Sequence, residues 1–151
     1  MGRWARGETE IAALLTSGEL QKLIGGAANG ERLLQKAATT LATARMVSES
    51  DPDSALVLAY DAARHALTAL LAQQGLRSTS RGGHYAVERA VRAQFGPGFR
   101  QFGALRRRRN ELEYPERPGD DATQVEAIQA VAHAQGIIAS AEGLLGQLGL
   151  F

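Results

Sequence analysis

The chain has 151 residues, of which 44% are hydrophobic and 22% charged, which is the size and composition of one globular domain with its own core. It contains no cysteine, so a disulfide scaffold and a thiolate metal site are both excluded. The formal net charge is only +1, so any attraction for a charged partner has to come from local clusters of charged residues.

Histidines are few and far apart, at positions 65, 84 and 133, and none forms a spaced pair such as HExxH. We therefore expect no metal site and no cofactor. The first ten residues contain no apolar leader, and no apolar run approaches the roughly 18 residues of a membrane span. The sequence thus predicts a cytoplasmic protein without a membrane partner.

Helical patterns follow one another along the first half of the chain, and no strand pattern of any length interrupts them. Residues 1–28 predict a short helical N-terminal appendage, in which Ser17 caps a helix over ELQKL. A first long helix is predicted to begin after Asn29. Asp51 and Pro52 mark the start of a second, because a capping residue is followed there by proline at the first helical position.

The second half of the chain predicts three further helices. A short one over HYAVERAVRAQF ends at a Gly-Pro-Gly turn, and the next runs from Phe99 to about Tyr114, before a proline. The last helix carries an apolar stripe at the spacing that an antiparallel bundle needs. The stripe consists of Ala127, Val131, Ala134, Ile138, Ala141, Leu145 and Leu148. We therefore expect an all-α fold, an antiparallel bundle of four to five main helices over residues 29–151.

Charge is distributed unevenly along the chain. Residues 77–109 contain nine arginines and one acid, whereas residues 110–121 contain five acids and one arginine. The basic stretch is typical either of phosphate binding or of a solvated surface that the acidic turn offsets, and both interpretations stay open. Arg81 and His84 flank a Gly-Gly pair that opens a helix, where free backbone N–H groups can face an anion. They are candidates for contact with RNA or a nucleotide.

The segment LRRRRNELEYP, residues 105–115, contains four consecutive arginines, of which one falls on an apolar face. At helical spacing Arg109 lies in line with Phe102 and Leu105, whereas the two arginines before it point away from that stripe. A guanidinium on an apolar face needs a carboxylate, a phosphate or a partly hydrated interface, because an unpaired buried charge is too costly.

Two interpretations of Arg109 follow. In one, it forms a buried ion pair. The candidate carboxylates for that pair are Asp61, Glu111 and Glu113. In the other, Arg109 lines a functional site together with Asn110 and Tyr114, which are four residues apart and therefore share one face of the helix.

Together these features resemble the HEPN domain, a small helical bundle of toxin–antitoxin and defence systems. The resemblance extends over about residues 29–148 and rests on a long helix ending ALTALLAQQG, a loop ending RGGHYAV, the segment FGALRRRRNELEYP and a long final helix. The HEPN signature is an arginine, usually followed by a polar residue such as asparagine, and a histidine four to six residues on. Arg109 and Asn110 match its start, and Tyr114 stands where the family's ribonucleases have histidine.

The resemblance implies a toxin-like endoribonuclease that cuts RNA without metal at a homodimer interface. Arg109 and Asn110 would contact the scissile phosphate, and Tyr114 would replace histidine in proton transfer or positioning. The residues that would hold the RNA backbone are Arg106, Arg107 and Arg108. Since tyrosine has a reference pKa near 10, it is a poor base at neutral pH, which predicts weak or absent activity.

A second function, from a different class, is also compatible with the resemblance. It is a non-catalytic HEPN-like module that binds a partner protein, a nucleotide or RNA. The partner protein would be an antitoxin or a nucleotidyltransferase.

Overall fold

The computed structural model describes residues 2–151 and contains six α-helices and one two-stranded antiparallel sheet. The helices are α1 (Glu8–Thr16), α2 (Glu31–Val47), α3 (Pro52–Gln73), α4 (Gly83–Phe95), α5 (Gln101–Glu113) and α6 (Gln124–Leu145). The strands are β1 (Leu20–Lys22) and β2 (Leu76–Ser78). The predicted all-α bundle is confirmed, and the sheet is a small addition to it.

Helix α3 is the centre of the bundle, and α2, α4, α5 and α6 all pack against it. Its buried surface is mostly alanine and leucine, which lets the neighbouring helices approach closely. The predicted start is confirmed: Asp51 accepts a hydrogen bond from the Ser54 backbone N–H at 3.2 Å, and Pro52 is the first residue of the helix. Gly75 follows the helix with φ 73°, which only glycine adopts without strain.

By length and hydropathy α3 could cross a membrane, but 67% of its most apolar window is buried inside the bundle. Burial of this kind is typical of the core helix of a helical domain.

The N-terminal segment differs from its prediction. Ser17 follows the end of α1 and does not cap a second helix, and part of ELQKL forms β1. This strand pairs with β2, so that Leu20 lies opposite Ser78. A strand of three residues is too short to show an alternating pattern, and its partner is distant in sequence, so periodicity could not reveal it.

Helix α1 shares the core of the bundle. The side chains of Ile11 and Leu14 are fully buried, and one hydrophobic cluster includes them together with residues of the main helices. Trp4 packs against Phe95 of α4, with their ring centroids 5.2 Å apart, and donates a hydrogen bond to the Gln94 carbonyl. The division into residues 1–28 and 29–151 stays a prediction, and both parts contribute to a single cluster.

The start of α4 lies tightly against the segment that precedes β1. A Cβ atom on Gly82 would lie 2.3 Å from the Glu19 carbonyl oxygen, so only glycine fits there. The Thr79 backbone N–H donates to the same carbonyl at 3.0 Å. These contacts fix the first turn of α4, which carries His84.

We expect Gly82→Ala to lower the free energy of unfolding by about 1–3 kcal/mol, because the added methyl group forces backbone apart. Gly136→Ala is the matched control: Gly136 lies inside α6 with open space around its Cβ position, so alanine there should raise the free energy of unfolding by about 0.5–1 kcal/mol. Urea unfolding of both variants measures the difference. Equal stabilities would show that the approach of α4 to Glu19 is not tight.

Candidate functional site

Arg109 lies on the side of α5 that faces Tyr60 of α3. Its Cζ atom is 6.0 Å from the centroid of the Tyr60 ring, and its Nε atom is buried with no hydrogen-bond partner among residues 2–151. One Glu113 carboxylate oxygen lies 4.0 Å from its Nη2 atom. Asp61 instead pairs with Arg64, at 3.7 Å. Within the described chain, the ion pair predicted between Arg109 and Asp61 is therefore absent, and Arg109 is held only loosely by a carboxylate.

His84 reaches the same place from α4. Its Nδ1 atom lies 2.7 Å from the Tyr60 hydroxyl oxygen, and the two ring centroids are 5.6 Å apart. The ring of Phe102 stacks on that of Tyr60 at 5.2 Å. Tyr60 is completely buried, and this burial raises the pKa of its phenol to about 12 although Arg64 and Arg109 act in the opposite direction. The phenol is therefore protonated at neutral pH, and its hydrogen bond orients the imidazole.

Arg64 is the fourth member of this group, and its Nε atom is also buried without a partner in the described chain. Burial lowers the pKa of His84, and the positive charges of Arg64 and Arg109 lower it further, whereas Asp61 acts against them. The imidazole is therefore neutral at neutral pH. We call Tyr60, Arg64, His84 and Arg109 the Tyr60 cluster.

Sequence analysis found two members of the Tyr60 cluster, Arg109 and His84, and missed the other two. The sequence did not single out Tyr60. Arg64 was overlooked, although an arginine within the alanine-rich and leucine-rich segment SALVLAYDAARHALTALLAQQ was a usable signal.

The guanidinium of Arg108 forms hydrogen bonds with several carboxylates. Its Nε atom donates to Glu126 at 2.8 Å, and its Nη1 atom donates to Glu111 and Asp120 at 3.2 Å each. These hydrogen bonds, chiefly the one to Glu126, raise the pKa of the guanidinium. Arg108 thus joins α5 to the start of α6 and to the acidic turn between them.

The other predicted phosphate-binding arginines have different surroundings. Arg106 donates from Nε to Glu88 at 2.7 Å, and Arg81 donates to the Ser17 carbonyl at 2.8 Å. Arg107 is exposed and forms no ion pair among the described residues. Of these three, Arg107 is the one whose guanidinium is fully available to solvent.

Asn110 and Tyr114 lie at the far end of α5. The Asn110 side-chain oxygen accepts a hydrogen bond from Arg109 at 3.4 Å, whereas Tyr114 is 75% exposed and forms no side-chain hydrogen bond within residues 2–151. Both residues line an open hollow of about 860 Å³. Its charged lining consists of Glu111, Glu116, Asp120 and Arg117. Since three of these four groups are acidic, the hollow is electrostatically unfavourable for phosphate.

A groove of about 460 Å³ lies between α3 and α5. Its apolar lining is formed by the half-buried side chains of Val57, Leu58 and Leu112, and its polar lining by Asp53, Ser54 and Glu113. This groove leaves apolar surface partly open on the helix that carries Arg109.

Comparison with known proteins identifies one family. The model of the family described as HEPN domain matches residues 30–144, which covers helices α2 to α6 apart from the last residue of α6. No curated protein and no solved structure matches the chain.

We expect Arg108→Ala to lower the free energy of unfolding by about 1–3 kcal/mol, because it removes several hydrogen bonds to carboxylates and leaves these acids close together. The matched control is Arg107→Ala, an adjacent and exposed arginine, which should stay within about 0.5 kcal/mol of the wild type. Urea unfolding provides the measurement. A loss for Arg107 as large as that for Arg108 would contradict the structural role given to Arg108.

We also expect the pKa of His84, measured by NMR, to lie below the reference value of 6.5. Arg64→Gln should raise it, because Arg64 contributes the largest of the charge effects. Between the lowered pKa of folded His84 and the reference value of 6.5, the unfolded chain binds more protons than the folded chain. The free energy of unfolding should therefore fall as the pH is lowered through this range. His65, whose pKa is also lowered by burial, adds in the same direction, so the titration must be resolved for each residue. A pKa of His84 above 6.5 would contradict the arrangement.

Proposed function

The chain belongs to the HEPN family, and from this premise we propose that it is an effector that acts on RNA, with Arg109 as its contact to the scissile phosphate. Membership of the family supports a helical module related to nucleotides or RNA. The observation that carries the proposal is the side chain of Arg109, which resembles the signature arginine of the family, is 27% exposed and meets the Glu113 carboxylate only at 4.0 Å. Its exposed N–H groups can donate to a phosphate oxygen.

Homodimerisation is part of the proposal. Helix α5 contributes both Arg109 and Leu112, and Leu112 lines the apolar groove beside Val57 and Leu58. Burying this groove against a second copy would remove apolar surface from water and bring the two Arg109 sites to one interface.

The reaction we propose is attack of the RNA 2′-oxygen on the neighbouring phosphorus. The 2′-hydroxyl gives up its proton to solvent water, the new P–O bond forms, and the bond to the 5′-oxygen breaks as that oxygen takes up a proton. Arg109 stabilises the negative charge of the transition state, and Asn110 contacts the same phosphate. Tyr114 serves as the proton donor to the leaving oxygen, because a phenol is a poor base at neutral pH.

One observation favours the alternative of a non-catalytic module. Tyr114 is 75% exposed, and nothing in the described chain orients its hydroxyl group. In that case Arg109 binds RNA or a nucleotide without cleavage, and the groove between α3 and α5 binds an antitoxin or a nucleotidyltransferase.

The test is cleavage of a labelled RNA in EDTA by the wild type, Arg109→Ala and Tyr114→Phe, with molecular mass measured by light scattering. We expect dimers that cleave RNA, a loss of rate of about 100-fold or more for Arg109→Ala, and a smaller loss for Tyr114→Phe. Arg32→Ala, which removes an exposed arginine of α2, is the control and should retain the wild-type rate.

Circular dichroism must show that each variant is folded. If the wild type does not cleave RNA and Tyr114→His does, the nuclease proposal is wrong and the protein is the non-catalytic module. If folded Arg109→Ala cleaves RNA at the wild-type rate, Arg109 has no role in the reaction.

A further inference from the structure

The Tyr60 cluster contains two guanidinium groups whose donors are incompletely used. The Nε atoms of Arg64 and Arg109 are both buried and lack partners in the described chain. Nearby arginines differ: Arg106 and Arg108 each donate from Nε to a carboxylate, at 2.7 and 2.8 Å. An unsatisfied buried donor costs about 1–3 kcal/mol, so two of them around one tyrosine need an explanation other than ordinary surface pairing.

The hydrogen bond between Tyr60 and His84 determines which imidazole nitrogen carries the proton. The buried phenol keeps its proton, and His84 Nδ1, at 2.7 Å, is the acceptor that the described chain offers to it. In a neutral imidazole that accepts at Nδ1, the proton is on Nε2. Tyr60 therefore makes Nε2 of His84 a hydrogen-bond donor.

The residue that carries this donor lies at the protein surface. His84 as a whole is exposed, and the side chains of Arg64 and Arg109 are 26% and 27% exposed. The cluster thus combines two positive groups and an oriented N–H donor at one partly open place. A phosphate group, which carries several acceptor oxygens and negative charge, matches these donors.

We propose that the Tyr60 cluster is a phosphate receptor, in which the imidazole of His84 contacts the same phosphate as Arg109. The inference rests on the proposed function in that Arg109 meets RNA phosphate. It adds Arg64 as a second guanidinium and Tyr60 as a positioning residue, which acts through His84. It places the bound phosphate at the junction of α3, α4 and α5.

A purely structural role is the competing explanation. In that case the guanidinium of Arg109 only packs on the Tyr60 ring, and His84 only satisfies the Tyr60 hydroxyl. Such a role accounts for the stacking and the single hydrogen bond, but it leaves two partly exposed guanidinium groups whose ion pairs, at 3.7 and 4.0 Å, are long. The two explanations differ in whether an added phosphate changes the surroundings of His84.

The test uses the full-length protein and short RNA oligonucleotides with 2′-O-methyl groups, which lack the 2′-hydroxyl and cannot be cleaved by the proposed reaction. One oligonucleotide carries a 5′-phosphate and a second, of the same sequence, has a 5′-hydroxyl. Kd is measured for the wild type, Arg109→Ala, His84→Gln, Arg64→Gln and Tyr60→Phe, with His133→Gln as the control. Comparison of the two oligonucleotides distinguishes a terminal phosphate from a backbone phosphate.

We expect His84→Gln and Arg64→Gln each to weaken binding about tenfold, which is the effect of losing one hydrogen bond to a charged group. His133→Gln, which changes an exposed residue of α6, should bind as the wild type does. In ¹⁵N NMR spectra, His84 should show its proton on Nε2, and the Nε2 resonance should shift on addition of either the oligonucleotide or inorganic phosphate. Tyr60→Phe, which keeps the ring and therefore the packing, should redistribute the proton between the two nitrogens and weaken binding.

Two results would overturn the receptor. If Arg109→Ala weakens RNA binding while the variants of His84 and Arg64 bind normally, the Tyr60 cluster is not a phosphate receptor, and the proposed contact of Arg109 with RNA is retained. If the wild type binds neither oligonucleotide and phosphate leaves the His84 resonances unchanged, the receptor and the contact of Arg109 with RNA phosphate are both wrong.

Discussion

The hydroxyl group of Tyr60 has to be hydrogen bonded inside the bundle, and the arrangement of the site depends on how this is achieved. Tyr60 is fully buried on α3, the helix against which four other helices pack. An unpaired phenol in that position would be costly, and His84 supplies its partner from the first turn of α4. This single hydrogen bond links α3 to α4 and orients the only imidazole beside Arg109 in the described chain.

The position of His84 depends in turn on a part of the chain outside the family match. Gly82 lies so close to the Glu19 carbonyl that a side chain does not fit, and this contact fixes where α4 begins. The N-terminal segment, which includes α1 and β1, therefore helps to position the site and also packs against the core. Changes in this segment should affect His84 without contacting it.

Four consecutive arginines have different environments because each step along a helix turns the side chain by about 100°. Arg106 meets Glu88 of α4, Arg107 faces solvent, Arg108 meets the acids around the start of α6, and Arg109 faces Tyr60. Net charge in this stretch is consequently a poor measure of what it can bind. Two of the four positive groups are neutralised within the chain by short hydrogen bonds to carboxylates. Arg109 is the one that combines burial with an unused donor.

The sequence by itself determined the helices and the inward position of Arg109, because helical periodicity, capping residues and proline act over a few neighbouring residues. It also indicated that Asn110 and Tyr114 lie close together, and in the structure both line one hollow at the end of α5, although Tyr114 follows the last residue of the helix. The resemblance to the family is confirmed by the family match. Only the tertiary structure decided what surrounds Arg109. The contact of His84 with Tyr60 and the strand pair join residues that lie on different elements of the chain. Such contacts depend on how the helices pack in three dimensions, and one-dimensional periodicity carries no information about them.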